Sequence, residues 1–288
     1  MGVRSAARES GCWLRTLLLA SFATVAAGQP RPLAIVRPAL HQFDGGPALP
    51  ASHEFLSGEY VFLTFQIEGY KATEKEHVAL TYEIDAFDQA GVKYVETKKG
   101  GIGVELAQED KDWKPVVRHD FLIPPLALTS RGRIEIRVRD NVGGASVTRS
   151  IELKVRGPNL ETGAALAAQR FRFLRTEEDG PGISPPAYRP GDTLWARFEI
   201  TGYKLGEANR FHVSYGLEVL RAGGDSLYKE PKAAEQEETA FYPKLYVPGI
   251  LSLNLTKDLT PGEYSIVLSV RDELGKQDLK QVHKFAVE

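Results

Sequence analysis

The stretch from Ser57 to Lys71 (SGEYVFLTFQIEGYK) returns from Pro190 to Lys204 (PGDTLWARFEITGYK). Gly58, Phe65, Ile67, Gly69, Tyr70 and Lys71 each recur 133 positions on. A period that long exceeds any solenoid unit and suits a duplicated domain. Whatever core the first copy builds, the second must build again from the same pattern, so the chain is restricted to two like modules in tandem.

Strict alternation marks the strands of both copies. Val61, Leu63, Phe65 and Ile67 share one face in the first, as do Leu194, Ala196, Phe198 and Ile200 in the second. Val78, Leu80, Tyr82, Ile84 and Ala86 are matched by Phe211, Val213, Tyr215, Leu217 and Val219, and Gly91 and Gly224 mark the turns that follow. Asp140-Asn141-Val142-Gly143 and Asp272-Glu273-Leu274-Gly275 each lie between two alternating runs, the signature of a hairpin round a type I turn. The pattern predicts an all-β protein of two tandem antiparallel β-sandwiches, each of about seven strands. The boundaries are a signal peptide at 1–28, a first sandwich at 29–156, a linker at 157–169 and a second sandwich at 170–288. The proline-rich stretch 30–50 reads as an extended lead-in with 180–190 as its counterpart, and the Ala-rich stretch 160–169 reads as a short helical turn.

These alternating runs and turns resemble immunoglobulin-like or fibronectin type III-like domains found in tandem in secreted bacterial proteins. The resemblance is one of pattern, since the paired cysteines and buried tryptophan of true immunoglobulin domains are absent. It implies a sandwich fold and a binding or structural role.

Arg4, Arg8 and Arg15 precede an apolar run from Thr16 to Ala27, and Val25 and Ala27 suit a cut after Ala27 or Gly28. That is the layout of a secretory signal, too short for a bilayer span, and no second apolar run follows. The single cysteine, Cys12, lies in this segment, so the mature chain is expected to have neither disulfide nor thiolate ligand. A cysteine-free exported β protein fits a bacterial periplasm or exterior. Charge is interspersed, with a formal net of −2, which gives no footprint for nucleic acid.

No catalytic motif is present, and none of His41, His53, His77, His119, His212 and His283 forms a ligand pair at metal spacing. No cofactor is expected. Asp85, Asp88 and Asp140 could together hold calcium or could cap turns. The second copy offers Glu218, Asp225 and Asp272, with Arg221 in place of Asp88. Tyr70 and Tyr203, in the repeated Gly-Tyr-Lys, could be ligand platforms or local packing elements. Phe62 and Trp195 fall at matching positions on faces predicted wet, so either the chain or a partner covers them. The segments 97–114 and 230–243 read as long solvated loops that carry specificity, with Trp113 and Tyr242 near their ends.

Three functions follow. The leading one is a non-catalytic binding or structural protein that recognises a protein partner by loops or by strand addition. The second is a carbohydrate-binding module that stacks sugar on Trp113, Trp195 and Tyr242. The third is an enzyme with an acid pair at the domain junction.

Overall fold

A computed structural model describes residues 31–110 and 112–288. The expected signal peptide and Cys12 lie outside the described residues. The fold is all-β, two tandem antiparallel β-sandwiches. Among the described residues no helix is long and apolar enough to cross a membrane.

The first copy contains β1 (Ala34–His41), β2 (Phe55–Leu56), β3 (Tyr60–Glu68), β4 (His77–Phe87), β5 (Lys98–Glu105), β6 (Val116–Leu122), β7 (Ser130–Asp140) and β8 (Ser146–Arg156). The second contains β9 (Ala167–Leu174), β10 (Ala187–Tyr188), β11 (Thr193–Thr201), β12 (Phe211–Arg221), β13 (Ser226–Glu238), β14 (Tyr246–Asn254), β15 (Gly262–Asp272) and β16 (Gln277–Val287). In the first sandwich a sheet ordered β1-β3-β6 faces one ordered β2-β8-β7-β4-β5. In the second, β9-β11-β14 faces β10-β16-β15-β12-β13. Pairing is antiparallel, except where the two-residue strands β2 and β10 join β8 and β16 in parallel.

Eight strands per copy replace the expected seven. The lead-in holds edge strand β1, which pairs with β3, and the Ala-rich segment enters β9 rather than a helical turn. Both strands are irregular, with register shifts and with Arg37 and Arg170 at positive φ, and this breaks the alternation that would have revealed them. The true counterpart of the 180–190 segment, which ends in β10, is the stretch before β2. Segments 97–114 and 230–243 also differ from expectation, because edge strands β5 and β13 occupy much of them. An edge strand has one neighbour and little buried face. The sequences KKGGIGVE and SLYKEPKAAEQEE therefore lack apolar alternation, and their charges and Pro231 blunt the free edge.

The alternating residues form the cores. Val61, Leu63, Phe65 and Ile67 are buried in one, and Leu194, Ala196, Phe198 and Ile200 in the other. Aliphatic and aromatic burial on this scale, roughly 1.5–3 kcal/mol for each large side chain, holds each sandwich together. One residue departs from the division. Tyr242, which follows β13 in the second copy, belongs to the core of the first.

Candidate functional site

The repeated motifs are fold devices. Gly69 and Gly202 adopt φ of 74° and 73°, and a Cβ at Gly202 would lie 1.9 Å from the Ala165 carbonyl oxygen. The turn this permits aims the next amide inward. Lys71 N–H donates to Asp140 Oδ2 and Lys204 N–H to Asp272 Oδ2, both at 2.9 Å. The other oxygen of each aspartate accepts two amides of its own hairpin, Val142 and Gly143 in one copy and Leu274 and Gly275 in the other. The tyrosine between glycine and lysine ties down a distant loop. Tyr70 Oη donates to the Trp113 carbonyl at 2.5 Å, and Tyr203 Oη to the Lys244 carbonyl at 2.6 Å. Both tyrosines are engaged in packing and local bonding.

The three aspartates of the first copy are not brought together. Asp140 lies opposite Leu80 in the β4–β7 register, five residues from Asp85, or roughly 16 Å at the usual strand rise. Asp85 is buried and binds Lys93, Thr97 and Arg137. Burial pushes its carboxyl up, but hydrogen bonds from Lys93, Thr97 and Arg137 outweigh this and hold it at about 2. Asp88 Oδ1 accepts the Val92 amide and caps its turn. Among the described residues no group of three His, Cys, Asp or Glu could hold a metal ion.

The remaining acceptor of Asp88 leads to the junction. Tyr242 Oη donates to Asp88 Oδ2 at 3.0 Å, and its ring lies 5.3 Å from that of Tyr94. Tyr242 was expected on an exposed loop but is only 7% exposed. Its loop is held on both sides, by Tyr203 at Lys244 and by Asn209 Nδ2 at the carbonyls of Ala240 and Phe241. Burial, then the Asp88 charge, pushes the Tyr242 hydroxyl up, so it stays a donor. The second copy thus plugs the end of the first with an aromatic ring.

Among the described residues the same place in the second sandwich is open. Tyr94 lies opposite Ala86, whose carbonyl accepts its amide, and Tyr228 lies opposite Val219. Above Val219, Leu255 and Leu259 a groove of about 430 Å³ runs between β13 and β14, walled by Leu227, Tyr228 and Leu253. Tyr228 is 46% exposed and Leu227 38%. Val219 pairs with Tyr228 and Leu220 with Ser226, which leaves Leu227 as an extra residue bulged at the groove wall. Arg221 begins the turn that Asp88 begins in the first copy, with Gly224 bonded to its carbonyl as Gly91 is to that of Asp88. Sequence reasoning missed Leu227 and Tyr228. The available signal was an apolar pair opening an otherwise charged segment.

Other expected contacts are scattered. Trp113 is 37% exposed on the loop clasped by Tyr70, at the end of the first sandwich away from Asp88. Phe62 and Trp195 are half-buried on the outer faces of the three-stranded sheets, and Phe62 stacks on Tyr60. At the junction, Asp179 and Glu199 line one pocket of about 300 Å³ with Arg170, Arg172 and Arg197. Arg172 bridges the two acids, at 2.5 Å and 3.4 Å. The Arg172 hydrogen bond holds the Asp179 carboxyl below its usual range.

No protein-family model matches the chain, and no curated protein matches it. Among solved structures, the C-terminal domain of the antigen I/II polypeptide BspA of Streptococcus agalactiae is similar over 87% of this chain and 99% of that one, at 9% identity and a TM-score of 0.32. The C-terminal domain of the antigen I/II-family protein AspA of Streptococcus pyogenes is similar over 89% and 99%, at 9% identity and a TM-score of 0.32. A transglutaminase of red sea bream is similar over 88% of this chain and 31% of its own, at 10% identity and a TM-score of 0.26. Likeness of this degree does not extend to what those proteins do.

Proposed function

We propose that the chain is an exported, non-catalytic binding protein. Its second sandwich holds an aromatic-bearing segment of a protein partner in the groove between β13 and β14, and its first sandwich is a spacer braced by Tyr242. In this reading residues 1–28 are the export signal, 29–156 and 170–288 are domains, and 157–169 joins them in the periplasm or outside the cell. The observation that carries the reading is the filled counterpart: the same position in the first sandwich seats the ring of Tyr242 over Tyr94. Free edges on both sides add backbone donors and acceptors for an incoming segment. Tyr242 is buried and so does not join Trp113 and Trp195 in an exposed sugar platform.

The test is a photo-crosslinking residue placed at Tyr228 in the producing cell, with Ser150 on the opposite sandwich as control. A discrete adduct is expected at 228 and none at 150, and Leu227→Asp should abolish it. No adduct at 228, or equal adducts at both positions, defeats the reading.

A further inference from the structure

We infer that the occupant of this groove is a second copy of the chain, entering with the Trp113 loop to give a head-to-tail array. The inference rests on the groove being a docking site and goes further by naming what docks. Within one chain the junction already performs this contact. A loop after the fifth strand of one sandwich, clasped by the tyrosine of its Gly-Tyr-Lys motif, delivers an aromatic ring to the open end of the preceding sandwich. Among the described residues, both halves of that contact recur without such a partner, one in each sandwich. The loop after β5 is clasped by Tyr70 in the same manner and carries exposed Trp113 two positions from the place of Tyr242, taking the clasped carbonyls of Trp113 and Lys244 as equivalent. The groove beside Tyr228 lies at the position that Tyr94 holds in the first sandwich, and among the described residues no ring lies over it.

Charge supports the same match. In the internal contact Asp88 accepts a hydrogen bond from a phenol. Its counterpart Arg221 is a cation, suited to an acidic segment. The Trp113 loop carries Glu109, Asp110 and Asp112 against Lys111 and Lys114, a net of −1 over residues 109–114. Bulged Leu227, which has no counterpart beside Tyr94, adds apolar surface for the larger indole. The two surfaces differ and lie at opposite ends, so the contact is heterologous and does not close on itself, and it propagates as a row of sandwiches.

Sedimentation velocity on the purified chain over a wide dilution series tests this. The wild type should form a ladder of species that grows with concentration and shrinks with added salt. Trp113→Ala and Leu227→Asp should each weaken association at least about tenfold, the loss of one good anchor. Arg221→Glu, in the turn next to the groove, is a second variant with no apolar change and should weaken association likewise. Mixing Trp113→Ala with Leu227→Asp should give a dimer and nothing larger, because one retains only its groove and the other only its loop. A wild type that stays monomeric throughout, association unaffected by either variant, or a mixture that yields no dimer overturns the inference. A monomeric wild type that still gives an adduct to another protein from position 228 removes the second copy and leaves the groove reading standing. Loss of both removes both.

Discussion

Tyr94 and Tyr228 hold the same position in the two sandwiches, opposite Ala86 and Val219, yet Tyr94 is 2% exposed and Tyr228 46%. The ring of Tyr242 lies against Tyr94, and among the described residues no ring lies against Tyr228. A buried aromatic removed from a packed core leaves a cavity, whereas an exposed one leaves little. Tyr94→Ala should therefore cost about 3–5 kcal/mol, and Tyr228→Ala no more than about 0.5–1 kcal/mol. Urea unfolding of the two variants side by side checks the contrast, and equal losses would contradict it.

Tyr242 links the two cores through one ring and one hydroxyl. Tyr242→Phe keeps the ring and leaves Asp88 Oδ2 short of a donor, a loss of about 1–3 kcal/mol. Tyr242→Ala removes both and uncovers Tyr94. Hydrogen exchange at the Tyr94 amide, which donates to Ala86, should accelerate strongly in the alanine variant and only modestly in the phenylalanine variant.

Asp140 and Asp272 each accept three backbone amides, so replacing either by alanine leaves three donors unpaired. Each variant should lose about 3 kcal/mol or more, with similar shifts in the unfolding midpoint because the two clasps match bond for bond. A Cβ at Gly143 or Gly275 would sit 2.4 Å or 2.1 Å from the aspartate oxygen, so Gly143→Ala and Gly275→Ala should fall in the same direction. A large effect in one copy and none in the other would refute the equivalence.

The Asp85 carboxyl, held at about 2 in the folded chain against 3.8 as its ordinary value, binds its proton less readily when folded. Its contribution is complete above the unfolded value and disappears as pH falls from about 4 through about 2. The loss is on the order of 2 kcal/mol. Asp85→Asn should be clearly less stable than the wild type at neutral pH, and the gap should narrow in acid over that window. A gap that stays constant with pH would assign the effect to packing.

Much of the fold is legible in the chain itself. Alternation at a period of two is a local property of extended backbone, so Val61 to Ile67 and Leu194 to Ile200 declare their buried faces without reference to anything distant. The paired Gly-Tyr-Lys and Asp-x-x-Gly motifs are legible for a related reason, since a strained turn accepts few residue types and duplication writes each constraint twice. Edge strands β5 and β13 escaped notice because one neighbour and a solvated face impose no such pattern. Tyr242 escaped because its burial depends on Asp88 and Tyr94, about 150 positions earlier in the chain. Tyr94 and Tyr228 look alike in the sequence, and only the tertiary structure distinguishes a covered ring from an open one. Local backbone chemistry determines which residues face inward. What comes to lie over them is decided by the packing of one sandwich against the next.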